Sequence, residues 1–160
     1  MKTDDKPLPA NVPAEKAILG ALLLDNALYE ATKVLEPEDF SLDAHRNIYR
    51  HIVQMIERGE AVDPITLVED MREGGGLEAV GTMPVAYISD LSSDTIRYRQ
   101  SVRDWTRIVK AKSLLRKLIL SCSSAVNRAY DGGSGFEIIA TLKDQIKEIE
   151  DAAKRGIRTE

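Results

Sequence analysis

The sequence predicts an all-α protein, with a compact multi-helix head followed by a long antiparallel helical hairpin. The stretch Ala17-Ile18-Leu19-Gly20-Ala21-Leu22-Leu23-Leu24 is apolar for eight positions without interruption, so as a helix it is apolar on every side and other helices must surround it. From Arg99 to Tyr130 a helical pattern runs without Pro or Gly, and Asp131-Gly132-Gly133 then separates it from a second long periodic segment. That order reads as two rods joined by a bend. No period-two alternation is long enough for a strand.

The elements follow in order. Residues 1–10 are polar and contain proline, and are expected to form a flexible arm. Asn11 caps the central helix, Pro13 presets its φ, and Glu15 sets a carboxylate at the positive end of its dipole. Asp25-Asn26 closes it. Gly20 costs about 1 kcal/mol relative to alanine in a helix, and is expected to admit a neighbouring helix close to the backbone. Leu28, Ala31, Val34 and Leu35 give a short second helix before Pro37, and Glu36 to Phe40 is a turn docked by one ring. A third helix starts at Ser41 or Asp43, carries His45, Ile48, Tyr49, Ile52, Met55 and Ile56 on one stripe, and stops at Gly59. Asp63-Pro64 opens a fourth, with Ile65, Val68 and Met71 at helical spacing and Gly74-Gly75-Gly76 as its end. A fifth covers Pro84 to Leu91 with Val85, Ile88 and Leu91 inward, before the polar break Ser92-Ser93-Asp94-Thr95. The head thus spans 11–96.

The hairpin spans 97–156, and 157–160 form a tail or the start of a linker. Its first helix, of about 30 residues, extends about 45 Å. Val102, Trp105, Val109, Leu115, Ile119, Cys122 and Val126 mark its apolar edge. Ser134-Gly135-Phe136-Glu137 reads as a capping box for the last helix. There Ile139, Leu142, Ile146, Ile149 and Ala153 are spaced three, four, three and four, as in a coiled-coil seam. A single hairpin cannot cover both sides of such edges, whereas a two-fold related copy can. The expected oligomer interface is Trp105, Val109, Leu115, Ile119, Leu142, Ile146 and Ile149. The competing expectation is a hairpin folded back on the head.

The formal net charge of −4 conceals a division. Residues 97–128 carry nine basic side chains against Asp104 alone, while residues 1–96 carry 8 basic and 18 acidic ones. Such asymmetry points to a partner, either nucleic acid or an acidic surface of another copy. Arg103, Arg107 and Lys110 are the candidate nucleic-acid contacts. The alternative is a solvated face with ion pairs to Asp144, Glu148, Glu150 and Asp151, each worth ~0–1 kcal/mol. The lone Cys122 permits no intramolecular disulfide and is expected to be a buried, inert thiol. The longest apolar run falls short of the roughly 20 residues that cross a bilayer, so no membrane association is expected and the protein reads as cytoplasmic.

No enzyme site emerges. The glycine clusters lack the Gly-Lys-Ser/Thr ending of a phosphate loop. His45 and His51 are six residues apart, on different helix faces and without further zinc ligands. His45 reads as a core-edge residue with a satisfied hydrogen bond. Glu36, Glu38, Asp39 and Asp43 lack the calcium-loop pattern and read as a helix-start cluster. Ser123 and Ser124 have no base nearby in the pattern. No catalytic, cofactor or metal residue is assigned.

The residues resemble the N-terminal domain of the bacterial replicative DNA helicase, the DnaB family. The resemblance runs through Pro13-Ala14-Glu15 with Leu19 to Asp25, Leu35-x-Pro37-Glu38-Asp39-Phe40 with His45, and Gly59-x-x-Val62-Asp63-x-x-Thr66-Leu67. It continues through Leu77-Glu78-x-Val80-Gly81, Tyr87-Ile88, Leu91, and Arg107-Ile108-Val109-x-x-Lys112-x-Leu114-Leu115-Arg116-x-Leu118-Ile119. Together these blocks cover about residues 8 to 130. Ser41, Thr82, Trp105 and Pro84 depart from the family pattern.

The resemblance implies a helical head and hairpin that dimerises and, in the whole helicase, assembles as a trimer of dimers forming a collar. It implies that primase docks there, with Tyr87 and Ile119 at matching positions, and that Arg103 and Arg107 face DNA or a neighbouring head. It also implies that ATP and Mg belong to a motor domain that does not appear before Glu160, so that this chain needs no cofactor. The expected function is that of a collar and docking domain for hexamer assembly and primase binding in DNA replication. The alternative is a stand-alone relative that binds nucleic acid or modulates a helicase.

Overall fold

Asn11 starts the first helix as its spacing predicts. In the computed structural model, which describes residues 6–93 and 101–157, its side chain accepts from the Ala14 amide at 3.0 Å and α1 runs Val12–Leu24. Ile18, Leu19, Ala21 and Leu22 are fully buried, as an all-round apolar helix requires. Asp25 turns the chain by accepting from the Ala27 amide, and a 3-10 turn at Asn26–Leu28 leads into the short α2, Tyr29–Thr32. A second 3-10 turn, Pro37–Asp39, delivers Phe40 into the core.

The third helix, α3 (Asp43–Glu57), buries His45, Ile48, Tyr49, Ile52 and Met55, and its chain leaves through Gly59 at φ +76°. The fourth, α4 (Pro64–Gly74), is capped by Asp63, whose carboxylate accepts from the Ile65 and Thr66 amides. Gly75 ends it at φ +83°, a conformation with little steric cost only for glycine. A 3-10 turn at Glu78–Val80 precedes α5 (Pro84–Ser93). Val85 departs from expectation: Ile88 and Leu91 are buried but Val85 is exposed, as is Met83, because the first turn of α5 stands clear of the core. Asp94 and Thr95 lie outside the described residues.

Asn26 pins the end of α1 to the entry of α4. Its amide nitrogen donates to the Leu22 and Val62 carbonyls, both at 2.8 Å, and its oxygen accepts from the Val62 amide at 2.9 Å. One side chain thus satisfies both backbone groups of a residue 36 positions away, which a buried, extended connection otherwise leaves unpaired.

The long helix α6 is described from Val102 to Tyr130, and α7 from Gly135 to Ile157. The expected start at Arg99 lies outside the described residues. Gly132 adopts φ +80° in the turn between them, and a Cβ on Gly133 would meet the Arg128 carbonyl oxygen at 3.1 Å, so the predicted glycine bend is present. Among the described residues there are seven α-helices and no strand.

The chain divides into two compact units, Asn11–Lys110 and Met1–Ala10 with Ala111–Glu160. This differs in two ways from a boundary at residue 96 and a free arm. The first nine residues of α6 belong to the head, because Val102 and Val109 are buried and Val109 joins the core cluster. Pro9 belongs with α6, because Arg116 donates to its carbonyl at 2.9 Å and is itself nearly buried.

Candidate functional site

The residues predicted to join subunits separate into three groups. Val109 is 1% exposed in the head core and Trp105 is half-buried against that core. This corrects the expectation for Val109: a residue already removed from water by its own chain offers a partner no further apolar area. Leu142 and Ile149 are half-buried. Leu115, Ile119 and Ile146 are 44%, 41% and 41% exposed.

The exposed residues are ordered along each helix. On α6, Leu115, Ile119, Cys122 and Val126 are spaced four, three and four, which keeps them on one stripe, and all four are exposed. Cys122 is therefore not the buried thiol expected, since it shares this outward stripe. On α7 the predicted seam splits in two. Ile138 is buried and Leu142, Gln145, Ile149 and Ala152 are half-buried in its register, whereas Ile139 and Ile146 are exposed. The sequence puts Ile138 and Ile139 side by side, about 100° apart on the helix, so that Ile138 is buried while Ile139 stays exposed with Ile146.

The basic run is partly committed inside the protein. Lys110 reaches the buried Asp39 carboxylate at 2.8 Å and the Val34 carbonyl at 3.1 Å, which corrects its assignment as a nucleic-acid contact. Asp39 also accepts from the Glu36 amide at 2.8 Å. Arg107 lies 3.3 Å from Asp104 in its own helix, and Arg103 is exposed. Arg97 and Arg99 lie outside the described residues. Glu150, expected to pair with the basic helix, instead meets Lys154 at 2.6 Å one turn along α7. Replacing Lys110 by methionine is expected to lower stability in urea by about 2 kcal/mol. That is less than a fully buried pair costs, since Lys110 keeps some water contact and Asp39 keeps the Glu36 amide. Affinity for DNA should not change.

Tyr87 is the outer end of a buried polar chain whose pairing spacing rules do not reveal. Glu15 is 1% exposed and His45 fully buried. The imidazole Nδ1 lies 2.6 Å from Glu15 Oε2, and Nε2 lies 2.6 Å from the Tyr87 hydroxyl. A carboxylate only accepts, so the hydrogen on this edge resides on Nδ1, and the Tyr87 hydroxyl and Nε2 share the hydrogen bond at the other edge. The other Glu15 oxygen accepts from the Ser41 amide at 2.8 Å. Burial alone raises a carboxyl pKa, but the hydrogen bonds from His45 and Ser41 outweigh it and hold Glu15 below its ordinary value. Burial, and then the Glu15 charge, push the Tyr87 phenol up. Lys16 places its ammonium 5.5 Å from the Tyr87 ring centroid. The chain fixes how Tyr87 is presented. The one trace in the sequence was His45 on the apolar stripe of α3, which calls for a buried partner without naming it.

Among the described residues no three His, Cys, Asp or Glu side chains converge as a metal site, and no helix is long and apolar enough to cross a membrane.

Residues 7–111 match the family model of the DnaB-like helicase N-terminal domain. The replicative DNA helicase DnaB of Geobacillus stearothermophilus is 35% identical over 150 residues, covering 93% of this chain and 30% of that protein. The replicative DNA helicase DnaC of Bacillus subtilis (strain 168) is 30% identical over 155 residues, covering 96% and 31%. The chain therefore spans about a third of the length of these relatives. The crystal structure of the N-terminal domain of DnaB helicase from Mycobacterium tuberculosis matches with a TM-score of 0.77 at 29% identity, over 89% of this chain and 99% of that one. A structure of a DnaB-like replicative helicase, described with its interactions with primase, shares the fold with a TM-score of 0.69 at 24% identity, over 89% and 31%. On the order of its helices and the match through its head, this chain belongs to the family of DnaB-like helicase N-terminal domains.

Proposed function

We propose that this chain is the collar and docking domain of a replicative DNA helicase, joining subunits through the hairpin and receiving primase. The observation that carries the reading is the row of exposed apolar side chains on both long helices, Leu115, Ile119 and Val126 on α6 with Ile139 and Ile146 on α7. Ordered stripes of this kind gain about 25 cal/mol per Å² when a second surface removes them from water. Two-fold pairing lets one stripe serve both partners. A trimer of such dimers forms the collar. ATP, Mg and strand separation belong to a motor domain, and this chain's residues supply only contact surface.

Primase recognition is assigned to Tyr87 and the neighbourhood of Ile119. The relative whose structure is described with its interactions with primase supports a primase-docking role for the domain, and the mounting of Tyr87 on His45 favours that side chain as the contact. Any contact with DNA is left to Arg103 and Arg107.

Light scattering over a range of concentrations tests the assembly. The unaltered chain is expected to self-associate. Ile119→Asp combined with Ile146→Asp should weaken the dimer by about a hundredfold or more, since two buried aliphatic side chains are worth roughly 1.5–3 kcal/mol each. Helix content should be unchanged, because both positions are exposed in the single chain. Self-association at the strength of the unaltered chain in that variant overturns the proposed interface.

A further inference from the structure

Within the Asn11–Lys110 unit, a cleft of about 430 Å³ lies between α3 and the glycine turn that ends α4. One wall is formed by Asn47, Arg50, His51 and Gln54 on one face of α3, with Arg58 just past the helix end. Its other wall is Asp70 and the backbone of Gly74 to Gly76. No apolar side chain lines it. The volume falls within the range of about 300–1,000 Å³ that holds small molecules.

The balance of donors and acceptors says what it can hold. The Asp70 and Asn47 acceptors of the lining are engaged: Asp70 takes His51 Nδ1 at 2.6 Å on one oxygen and Arg58 at 2.6 Å on the other, and the Asn47 oxygen takes Arg50 at 2.9 Å. Donors remain. Arg50 commits one N–H to Asn47 and lies 3.8 Å from Glu38. Arg58 engages Glu60 and Asp70 through Nε and Nη2, which leaves Nη1. A guanidinium carries five N–H groups in a fork suited to oxyanions. The Asp70 bond holds the His51 ring with Nε2 turned towards Gly76, where an added Cβ would come within 3.4 Å of it. Gly75 and Gly76 adopt φ +83° and +98°, so this wall bears no side chains and a ligand can approach bare backbone.

We propose that this cleft between α3 and the Gly74–Gly76 turn binds the phosphate of a small phosphomonoester, with Arg50 and Arg58 as its ligands and His51 beside them. A phosphate ion alone fills only part of the space, so the ligand carries a further group up to about the size of a nucleoside. Glu38 and Glu60 hold the two guanidinium groups in the free protein, and the entering phosphate replaces part of that contact.

Nuclear magnetic resonance on the whole chain tests this, with inorganic phosphate, adenosine monophosphate and adenosine as probes at constant ionic strength set by chloride. Phosphate and the monophosphate should give saturable shifts confined to Asn47 through Arg58 and Gly74 through Gly76, the monophosphate binding more tightly and adenosine not at all. Arg50→Gln, at a half-buried position, should weaken the monophosphate by about tenfold while leaving the spectrum otherwise folded. Arg58→Gln should weaken it as well. If Arg58→Gln does not fold, Arg50→Gln alone decides. Shifts that chloride reproduces, that fail to saturate, that scatter over the surface, or that survive Arg50→Gln at full affinity overturn the proposal.

Discussion

Replacing Glu15 by alanine is expected to remove about 2–6 kcal/mol of stability, because it leaves two buried donors unsatisfied at about 1–3 kcal/mol each. Two donors are left without an acceptor, the His45 Nδ1–H and the Ser41 amide. Both lie where water cannot readily replace the carboxylate. Glu15→Gln keeps one acceptor oxygen but turns an amide nitrogen towards a donor, so its cost should be smaller, about 1–2 kcal/mol. Urea unfolding of the three proteins at neutral pH gives the ranking, and equal stability of Glu15→Ala and the unaltered chain contradicts the pairing.

The acid limb provides an independent check. The folded Glu15 carboxyl is held below its ordinary value of 4.5, so the unfolded chain binds the proton first. The stabilisation is complete above about that value and is lost as pH falls through the lower folded one. Stability of the unaltered chain should therefore decline below about pH 4.5, and the decline should be shallower in Glu15→Ala. It does not vanish, because Asp70 is held low as well. Burial raises the Asp70 carboxyl, but the bonds from His51 and Arg58 prevail.

Tyr49→Ala is expected to cost about 3–5 kcal/mol, as for other buried aromatic residues cut back to alanine. Its ring is fully buried, with its centroid 4.8 Å from that of Phe40. Its hydroxyl lies 3.0 Å from the Thr32 carbonyl and 3.2 Å from that of Leu35, donating to the pair where α2 ends. Burial pushes this phenol above its ordinary value, so the donor stays in place at neutral pH. Tyr49→Phe keeps the ring and removes only the donor, and should cost about 1–2 kcal/mol. The difference between the two variants in thermal or urea unfolding measures packing separately from the hydrogen bond. Similar losses in both variants would mean that the ring contributes little.

What could be read in the sequence was local. Asn11 before Val12-Pro13, Asp63 before Pro64, and the glycines at 59 and 75 each act within a turn of their own position, and each element boundary they predict is where they put it. The apolar stripe of α3 was legible because one period governs the whole helix. Contacts between distant residues were not. Glu15 in a first turn looks the same whether it faces water or His45, and Lys110 in a basic run looks the same whether it faces phosphate or Asp39, 71 residues away. Likewise the apolar edge from Val102 to Val126 is continuous in sequence, yet Val109 is spent in the head while Leu115 and Ile119 remain exposed. A helix pattern records which face is apolar and says nothing of what covers it. The family resemblance supplied what periodicity could not, namely that the head and the two long helices form one known architecture.

The Asn26 carboxamide has a kinetic consequence. It bonds both peptide groups of Val62 across 36 residues, and a closure that long restrains the chain only after α2 and α3 have been gathered between its ends. Solvent deuterium should thus enter the Val62 amide no faster than the head as a whole comes apart, making that one proton a clock for the opening of the entire unit.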